Sequence, residues 1–281
     1  MKKENISEKS ISDFRNYLRS EEKSKPTAEK YARDVRAFAA FSAGRGISKK
    51  TVADYKEYLL GRGYAARSVN SMLAGVNAFL SYSGLNECRV KTVRLQRQAY
   101  CPEERELTRA EYIRLCRAAG NKRNERLNLI LQTICGTGIR VGELKYITAE
   151  AVRRGEAVVS LKGKTRTVFI VRELQKKLLG YAARRKIKNG CIFITRTGKP
   201  LSRTNIWREM KSLCAAAGVK PEKVFPHNLR HLFARTFYSL EKDIAKLADI
   251  LGHSSINTTR IYIISTGAEH RRKMENMRLI I

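Results

Sequence analysis

The 281-residue sequence has no apolar run long enough to span a bilayer, and its opening, MKKENISEKS, lacks the apolar stretch of a secretory leader. A soluble, cytoplasmic protein is expected. Cysteines are few and solitary. Cys88, Cys101, Cys116, Cys135, Cys191 and Cys214 form no C-x-x-C pair and no Cys/His spacing suited to zinc, so neither a disulfide framework nor a structural metal is expected. Acidic residues are scarce as well: 26 Asp+Glu stand against 57 Lys+Arg, and from residue 99 onward the only aspartates are Asp243 and Asp249. Phosphodiester chemistry on two divalent cations needs a cluster of carboxylates, which that stretch does not supply. The G-x-x-x-x-G-K-[ST] loop of nucleotide-binding proteins is also absent. The expectation is a protein that works without metal, nucleotide or other cofactor.

What the chain has in excess is positive charge, +31 net. With 43% hydrophobic residues the chain can build real cores, so this is a folded basic protein rather than a disordered polycation. Such an excess, present on both sides of residue 98, points to a polyanion, above all double-stranded DNA, where each neutralised phosphate releases counterions. Two basic domains on a basic linker are expected to embrace a duplex as a clamp.

The hydrophobic periodicity predicts a mainly α protein with a small antiparallel β-sheet. Ile11, Phe14 and Leu18, then Tyr31, Val35 and Phe38, then Val52, Tyr55 and Leu59, then Val69, Leu73, Val76 and Phe79 repeat at three and four residues, giving four amphipathic helices in a first domain over 1–86. Turn residues at Pro26-Thr27, Gly44 to Gly46, Gly61 to Gly63 and Ser83-Gly84 divide them. The periodicity lapses over 87–106, where Arg89, Lys91, Arg94 and Arg97 make a basic linker with phosphates as its expected contacts. A second domain, 107–281, opens with the capping signature Thr108-x-x-Glu111. Within it, AVVSL (157–161) and RTVFIV (166–171) predict a hairpin, with the apolar run IFI (192–194) expected to join that sheet. Helices are expected over 124–135, 202–216, 228–240, 243–251 and 257–264.

All four histidines fall in the last 55 residues, three of them in two short patterns. His227-Asn228-Leu229-Arg230-His231 puts His227 and Arg230 at i and i+3 near a helix start, where both can reach one anion. Leu251-Gly252-His253 ends a further helix, and Tyr262 follows nine residues after His253. Upstream, Gly136-Thr137-Gly138-Ile139-Arg140-Val141-Gly142-Glu143-Leu144 breaks a helix with glycines, presents Arg140 and is expected to start another helix with Glu143 three residues on.

In this order the fragments resemble the tyrosine recombinases, the phage-integrase-like and Xer-like enzymes. Their signature is an Arg in T-G-[LI]-R-x-x-E-L, a β-hairpin Lys, an H-x-L-R-H box, an L-G-H box and a Tyr nucleophile. The resemblance covers the whole chain, the first helical domain being similar to the family's SAM-like core-binding domain. It implies that Arg140, Lys164, His227, Arg230, His253 and Tyr262 are catalytic, with Lys162 an alternative to Lys164, and that Glu143 and His231 support the site. It implies a metal- and ATP-independent DNA strand transferase that works as a homotetramer on synapsed sites through a 3′-phosphotyrosine and a Holliday junction. The chemistry is coherent, because guanidinium groups can neutralise a five-coordinate phosphorus without a metal. The alternatives are a type IB topoisomerase-like strand passage and a noncatalytic DNA-binding protein of the same fold. The apolar residues after Tyr262, namely Met274, Met277, Leu279, Ile280 and Ile281, are expected either to dock on a neighbouring subunit or to fold back on their own domain.

Overall fold

The computed structural model describes residues 6–95, 106–161, 164–262 and 267–278. The chain divides into two compact units, Met1–Arg97 and Gln98–Ile281.

The N-terminal unit holds the four helices that the periodicity predicts, α1 (Glu8–Ser20), α2 (Lys25–Ser42), α3 (Lys49–Gly61) and α4 (Ala66–Tyr82). Serines open the first three: Ser7, Ser24 and Ser48 each accept a backbone N–H of the first turn, which satisfies donors that a helix start otherwise leaves orphaned. The inward stripes meet in two apolar clusters, one around Ile11, Phe14, Leu18, Val35 and Phe79, the other around Phe38, Val52, Tyr55, Leu73 and Leu80. Phe14 meets Phe79 edge to face at 5.3 Å. A single carboxylate enters this interior among the described residues: Asp34, 5% exposed and paired with Lys30 at 2.6 Å.

The C-terminal unit starts with α5 (Arg109–Asn121), where Thr108 and Glu111 close the expected capping box. The apolar helix α6 (Glu125–Thr137) follows and stops at Gly138, whose φ is +65°. A Cβ on Gly138 would lie 2.5 Å from the Phe233 ring, so both the backbone conformation and the close approach demand glycine. Next come a 3₁₀ turn over Val141–Tyr146, α7 (Ala149–Arg154), and the hairpin of β1 (Glu156–Leu161) and β2 (Lys164–Phe169). The strands pair antiparallel with Ala157 opposite Val168 and Val159 opposite Arg166; Ala157, Val159 and Val168 face the core while Val158 and Phe169 face out. Helices α8 (Arg172–Arg184), α9 (Arg203–Lys211), α10 (Cys214–Ala217), α11 (Pro226–Glu241), α12 (Ile244–Leu251), α13 (Ile256–Arg260) and α14 (Gly267–Asn276) complete the described part.

Three expectations need correction. The run at 192–194 does not join the sheet, which has two strands among the described residues. Its residues form only isolated bridges, Ile194 with Pro200 and, just before it, Cys191 with Thr148. Ile192 and Phe193 are apolar because they plug the core, at 0% and 1% exposure, and not because they belong to a strand. The helix expected at Glu143 is a 3₁₀ turn, and the stretch expected over 202–216 breaks at Ser212–Leu213 into α9 and α10. Helix α8 was not anticipated, although Leu174, Leu178, Tyr181 and Ala182 line its buried face at helical spacing.

Among the described residues no helix is long and apolar enough to cross a membrane. Met274 and Met277 of the expected tail are exposed, and Leu279, Ile280 and Ile281 lie outside the described residues, as do Cys101 and Arg97.

Candidate active site

Helix α11 carries the largest polar side chain of the interior. Arg230 is 0% exposed, held on three sides by fixed acceptors. Its Nη1 donates to Gly138 O, and its Nη2 donates to Leu251 O at 2.7 Å and meets His253 Nε2 at 3.0 Å. The acceptors are where they are because α6 and α12 both end in left-handed glycines, Gly138 and Gly252, which leave terminal carbonyls unused. Arg230 Nε is buried without a hydrogen-bond partner. Burial first, then the charge of Arg140, brings the Arg230 pKa down to about 10, which still leaves it cationic at neutral pH.

The contact with Arg230 also assigns the His253 tautomer. A guanidinium can only donate, so Nε2 accepts and the ring proton sits on Nδ1, which faces Thr259 Oγ1 at 2.9 Å. Thr259 is 0% exposed, in α13. Burial, then the cations Arg230 and Arg140, hold the His253 pKa to about 4.

Arg140 stands at the end of the Gly138 turn, its side chain 35% exposed. Nη1 donates to Glu143 Oε1 at 3.0 Å, Nη2 to Gly252 O at 3.4 Å, and its backbone N–H to Glu143 Oε2 at 2.9 Å. Glu143 is 1% exposed and shared: Arg166 of β2 donates to its Oε2 at 2.6 Å. Burial pushes the Glu143 carboxyl up, but the Arg140 N–H, the Arg166 charge and the Arg140 side chain together outweigh it and hold the group below the ordinary carboxylate value. Arg166 reaches Ile250 O as well, at 2.8 Å, so it ties the hairpin to the end of α12. Arg166 and Thr259 lie outside the motifs that mark the other residues of the site. The one local signal for Arg166 was a charge at an inward-leaning position of a β-branched strand; Thr259 had none.

Tyr262 closes the group. It is 5% exposed, and its hydroxyl lies 3.1 Å from His227 Nε2. Its ring stacks on His231 at 4.2 Å, lies 5.1 Å from His253, and has the Arg230 guanidinium 5.8 Å from its centroid. Burial, then Arg230, lowers the His227 pKa; burial, then His227 and Arg230, lowers that of His231 to about 4. All three histidines are therefore neutral at pH 7. A cavity of about 510 Å³ opens beside His227, walled by Val141, Arg203, Trp207 and Pro226.

The structure thus gathers Arg140, Glu143, His227, Arg230, His231, His253 and Tyr262 from segments up to 122 residues apart. For Lys164 only the backbone, in the first position of β2, is described; its side chain and all of Lys162 lie outside the described residues. Arg89, Lys91 and Arg94 are in the N-terminal unit, exposed. No group of three His, Cys, Asp or Glu side chains among the described residues could hold a metal ion.

Comparison with known proteins points one way. Residues 105–269 match the model of the phage integrase family, and residues 11–84 that of the phage integrase N-terminal SAM-like domain. The chain is 35% identical over 143 residues to tyrosine recombinase XerH of Campylobacter jejuni, covering 49% of this chain and 40% of that protein. It is 31% identical over 159 residues to tyrosine recombinase XerA of Pyrococcus furiosus, covering 54% of each. The matched segment thus spans about half the length of these relatives. The fold is similar to the crystal structure of XerA recombinase, with TM-score 0.55 and 26% identity over 97% of this chain and 99% of that one. It is also similar to a lambda integrase dimer bound to a core site, with TM-score 0.73 and 19% identity over 93% and 96%, which bears on the fold alone.

Proposed function

The chain belongs to the phage integrase family, and from that premise we propose that it is a site-specific DNA recombinase with Tyr262 as its nucleophile. One observation carries the reading: the Tyr262 hydroxyl lies 3.1 Å from a neutral His227, with the cations Arg230 and Arg140 beside that histidine. A phenol ordinarily keeps its proton at neutral pH, and an unprotonated His227 Nε2 can take it as the oxygen attacks. The Tyr262 oxygen bonds to phosphorus, the bond from phosphorus to the 5′-oxygen breaks, and a 3′-phosphotyrosine forms. The bond energy is conserved, so religation by an incoming 5′-hydroxyl needs no ATP.

Arg140 and Arg230 neutralise the nonbridging oxygens, each with a planar fork that stays charged. His253 donates to the same phosphate once its proton is on Nε2. A lysine of the hairpin turn, Lys164 or in its place Lys162, protonates the leaving 5′-oxygen. Glu143 and His231 support the site by holding Arg140 and the Tyr262 ring. With the charge supplied by side chains, no metal enters the scheme.

In this reading residues 1–86 bind the core of the site, 87–106 link, and 107–281 catalyse. Four copies act on two synapsed duplexes in the cytoplasm, exchange strands in pairs through a Holliday junction, and use the segment after Tyr262 between subunits. The matches to tyrosine recombinases support site-specific recombination; its outcome in this reading is integration, excision, inversion or dimer resolution at short sites.

The test is a nicked suicide duplex from the protein's own genomic neighbourhood, incubated in EDTA without ATP. A covalent, SDS-resistant adduct is expected with the unaltered chain, and Tyr262→Phe is expected to lower its formation about 10⁴-fold or more while DNA binding persists. An adduct of equal yield from Tyr262→Phe would overturn the assignment.

A further inference from the structure

After α4 and a 3₁₀ turn at Asn86–Cys88, the chain runs back along α4 without joining any sheet. Two asparagines of α4 hold it there. Asn77 Nδ2 donates to Val90 O at 2.9 Å while Asn77 Oδ1 accepts from Val90 N at 3.2 Å; Asn70 repeats the arrangement on Val93, at 2.9 and 2.7 Å. Each carboxamide does what a neighbouring strand does at one rung of a β-ladder, pairing both backbone groups of a single residue.

The spacing fits only an extended chain. Asn70 and Asn77 are seven residues apart on a helix, about 10.5 Å of rise. Val90 and Val93 are three residues apart, about 10 Å when extended and less than half of that when helical. Because Asn77 takes Val90 and Asn70 takes Val93, the ribbon runs antiparallel to α4. Val90 and Val93 face the apolar cluster that holds Phe38, Val52 and Leu80. Arg89, Lys91 and Arg94 are left exposed, and none of the three is drawn into an ion pair among the described residues.

We propose that Asn70 and Asn77 are positioning residues for DNA binding: they hold residues 89–94 as a pre-ordered ribbon whose three cations meet the phosphates of the bound duplex. The proposal rests on the DNA-recombinase reading above. A free linker would pay its ordering entropy on binding, whereas this one pays it during folding. The two contributions separate cleanly. Loss of the asparagines leaves the same cations to meet the same phosphates, so affinity falls while its salt dependence stays; loss of the cations lowers the salt dependence itself.

The experiment measures binding of the full chain to a fluorescent duplex of arbitrary sequence across a salt series. The Asn70→Ala/Asn77→Ala variant is expected to bind about tenfold more weakly at every salt concentration with its slope unchanged. Arg89→Gln/Lys91→Gln/Arg94→Gln is expected to lower the slope by about 2 to 3. Adding the asparagine changes to that charge variant is expected to cost nothing more, since the ribbon then carries no cations whose placement could matter. Amide exchange at Val90 and Val93 should quicken in the asparagine variant while α1 to α4 stay protected; if α4 loses protection, the single change Asn70→Ala carries the same comparison. Equal weakening in both backgrounds would make the asparagines merely structural and overturn the proposal, as would unchanged binding of the asparagine variant. Failure of the unaltered chain to bind any duplex would instead overturn the DNA reading beneath it.

Discussion

The interior of the N-terminal unit and the surroundings of Tyr262 are built on opposite terms. Around Phe14, Phe38 and Tyr55 nearly everything buried is apolar, and the one buried carboxylate among the described residues, Asp34, is answered by Lys30 one turn earlier in the same helix. Around Tyr262 the structure buries Arg230 completely, shares Glu143 between two arginines, and packs three histidines kept neutral by burial and by the cations beside them. The first arrangement gains from removing apolar surface from water. The second costs the desolvation of charged groups, which hydrogen bonds only partly repay: Arg230 Nε and Arg166 Nε are buried without a partner, where the N-terminal core leaves the neutral Tyr55 hydroxyl so. A fold selected for stability alone would not assemble it, which is why perturbed groups mark a site.

The contrast predicts that damage to each region is felt in a different observable. Phe14→Ala should cost the N-terminal unit about 3 to 5 kcal/mol, the usual price of emptying an aromatic core position. Chemical denaturation should show its transition moving while that of the C-terminal unit stays, and adduct formation at saturating DNA should hardly change. A matching loss in both transitions would break the comparison by making the two units one cooperative body.

Arg230→Lys tests the other side. One ammonium cannot satisfy Gly138 O, Leu251 O and His253 together while also facing a phosphate in a fork. Single-turnover cleavage should fall about 10² to 10³-fold, far more than DNA affinity. Cleavage within a few-fold of the unaltered chain would mean that Arg230 serves the fold rather than the chemistry.

The smallest effect is one of pH. The His231 pKa is about 4 in the fold against an ordinary 6.5, so the unfolded chain binds more protons between these values. The stabilisation is complete above pH 6.5 and is lost as pH falls toward 4, with about 2 kcal/mol gone at pH 5 for this residue. The gap between denaturant midpoints of the C-terminal unit at pH 7 and pH 5 should narrow in His231→Phe, with His253 and His227 keeping the rest of it, whereas the N-terminal unit, which has no histidine, should show no such step.

Much of this was legible before any coordinates. The four helices of the N-terminal unit follow from the spacing of Ile11, Phe14, Leu18 and their successors, and the Thr108–Glu111 cap is written in four residues. The run at 192–194 misled because a short apolar stretch reads alike whether it pairs in a sheet or plugs a core, and only its neighbours distinguish the two. Helix α8 is legible in its Leu174, Leu178 and Tyr181 stripe.

What the sequence determined by itself was local or ordered along the chain: where helices start, which face of each is apolar, and that Arg140, His227, Arg230, His253 and Tyr262 follow one another in the order of the signature they resemble. Only the tertiary structure decided that Arg166 shares Glu143 across 23 residues, that Thr259 and Arg230 assign the His253 proton, that the Tyr262 hydroxyl rests on His227, and that Asn70 and Asn77 pin residues 90 and 93. The reason is physical. Periodicity and capping are set by neighbours within one or two turns, while a hydrogen bond between distant segments depends on where packing brings two backbones to rest, and no local pattern records that position.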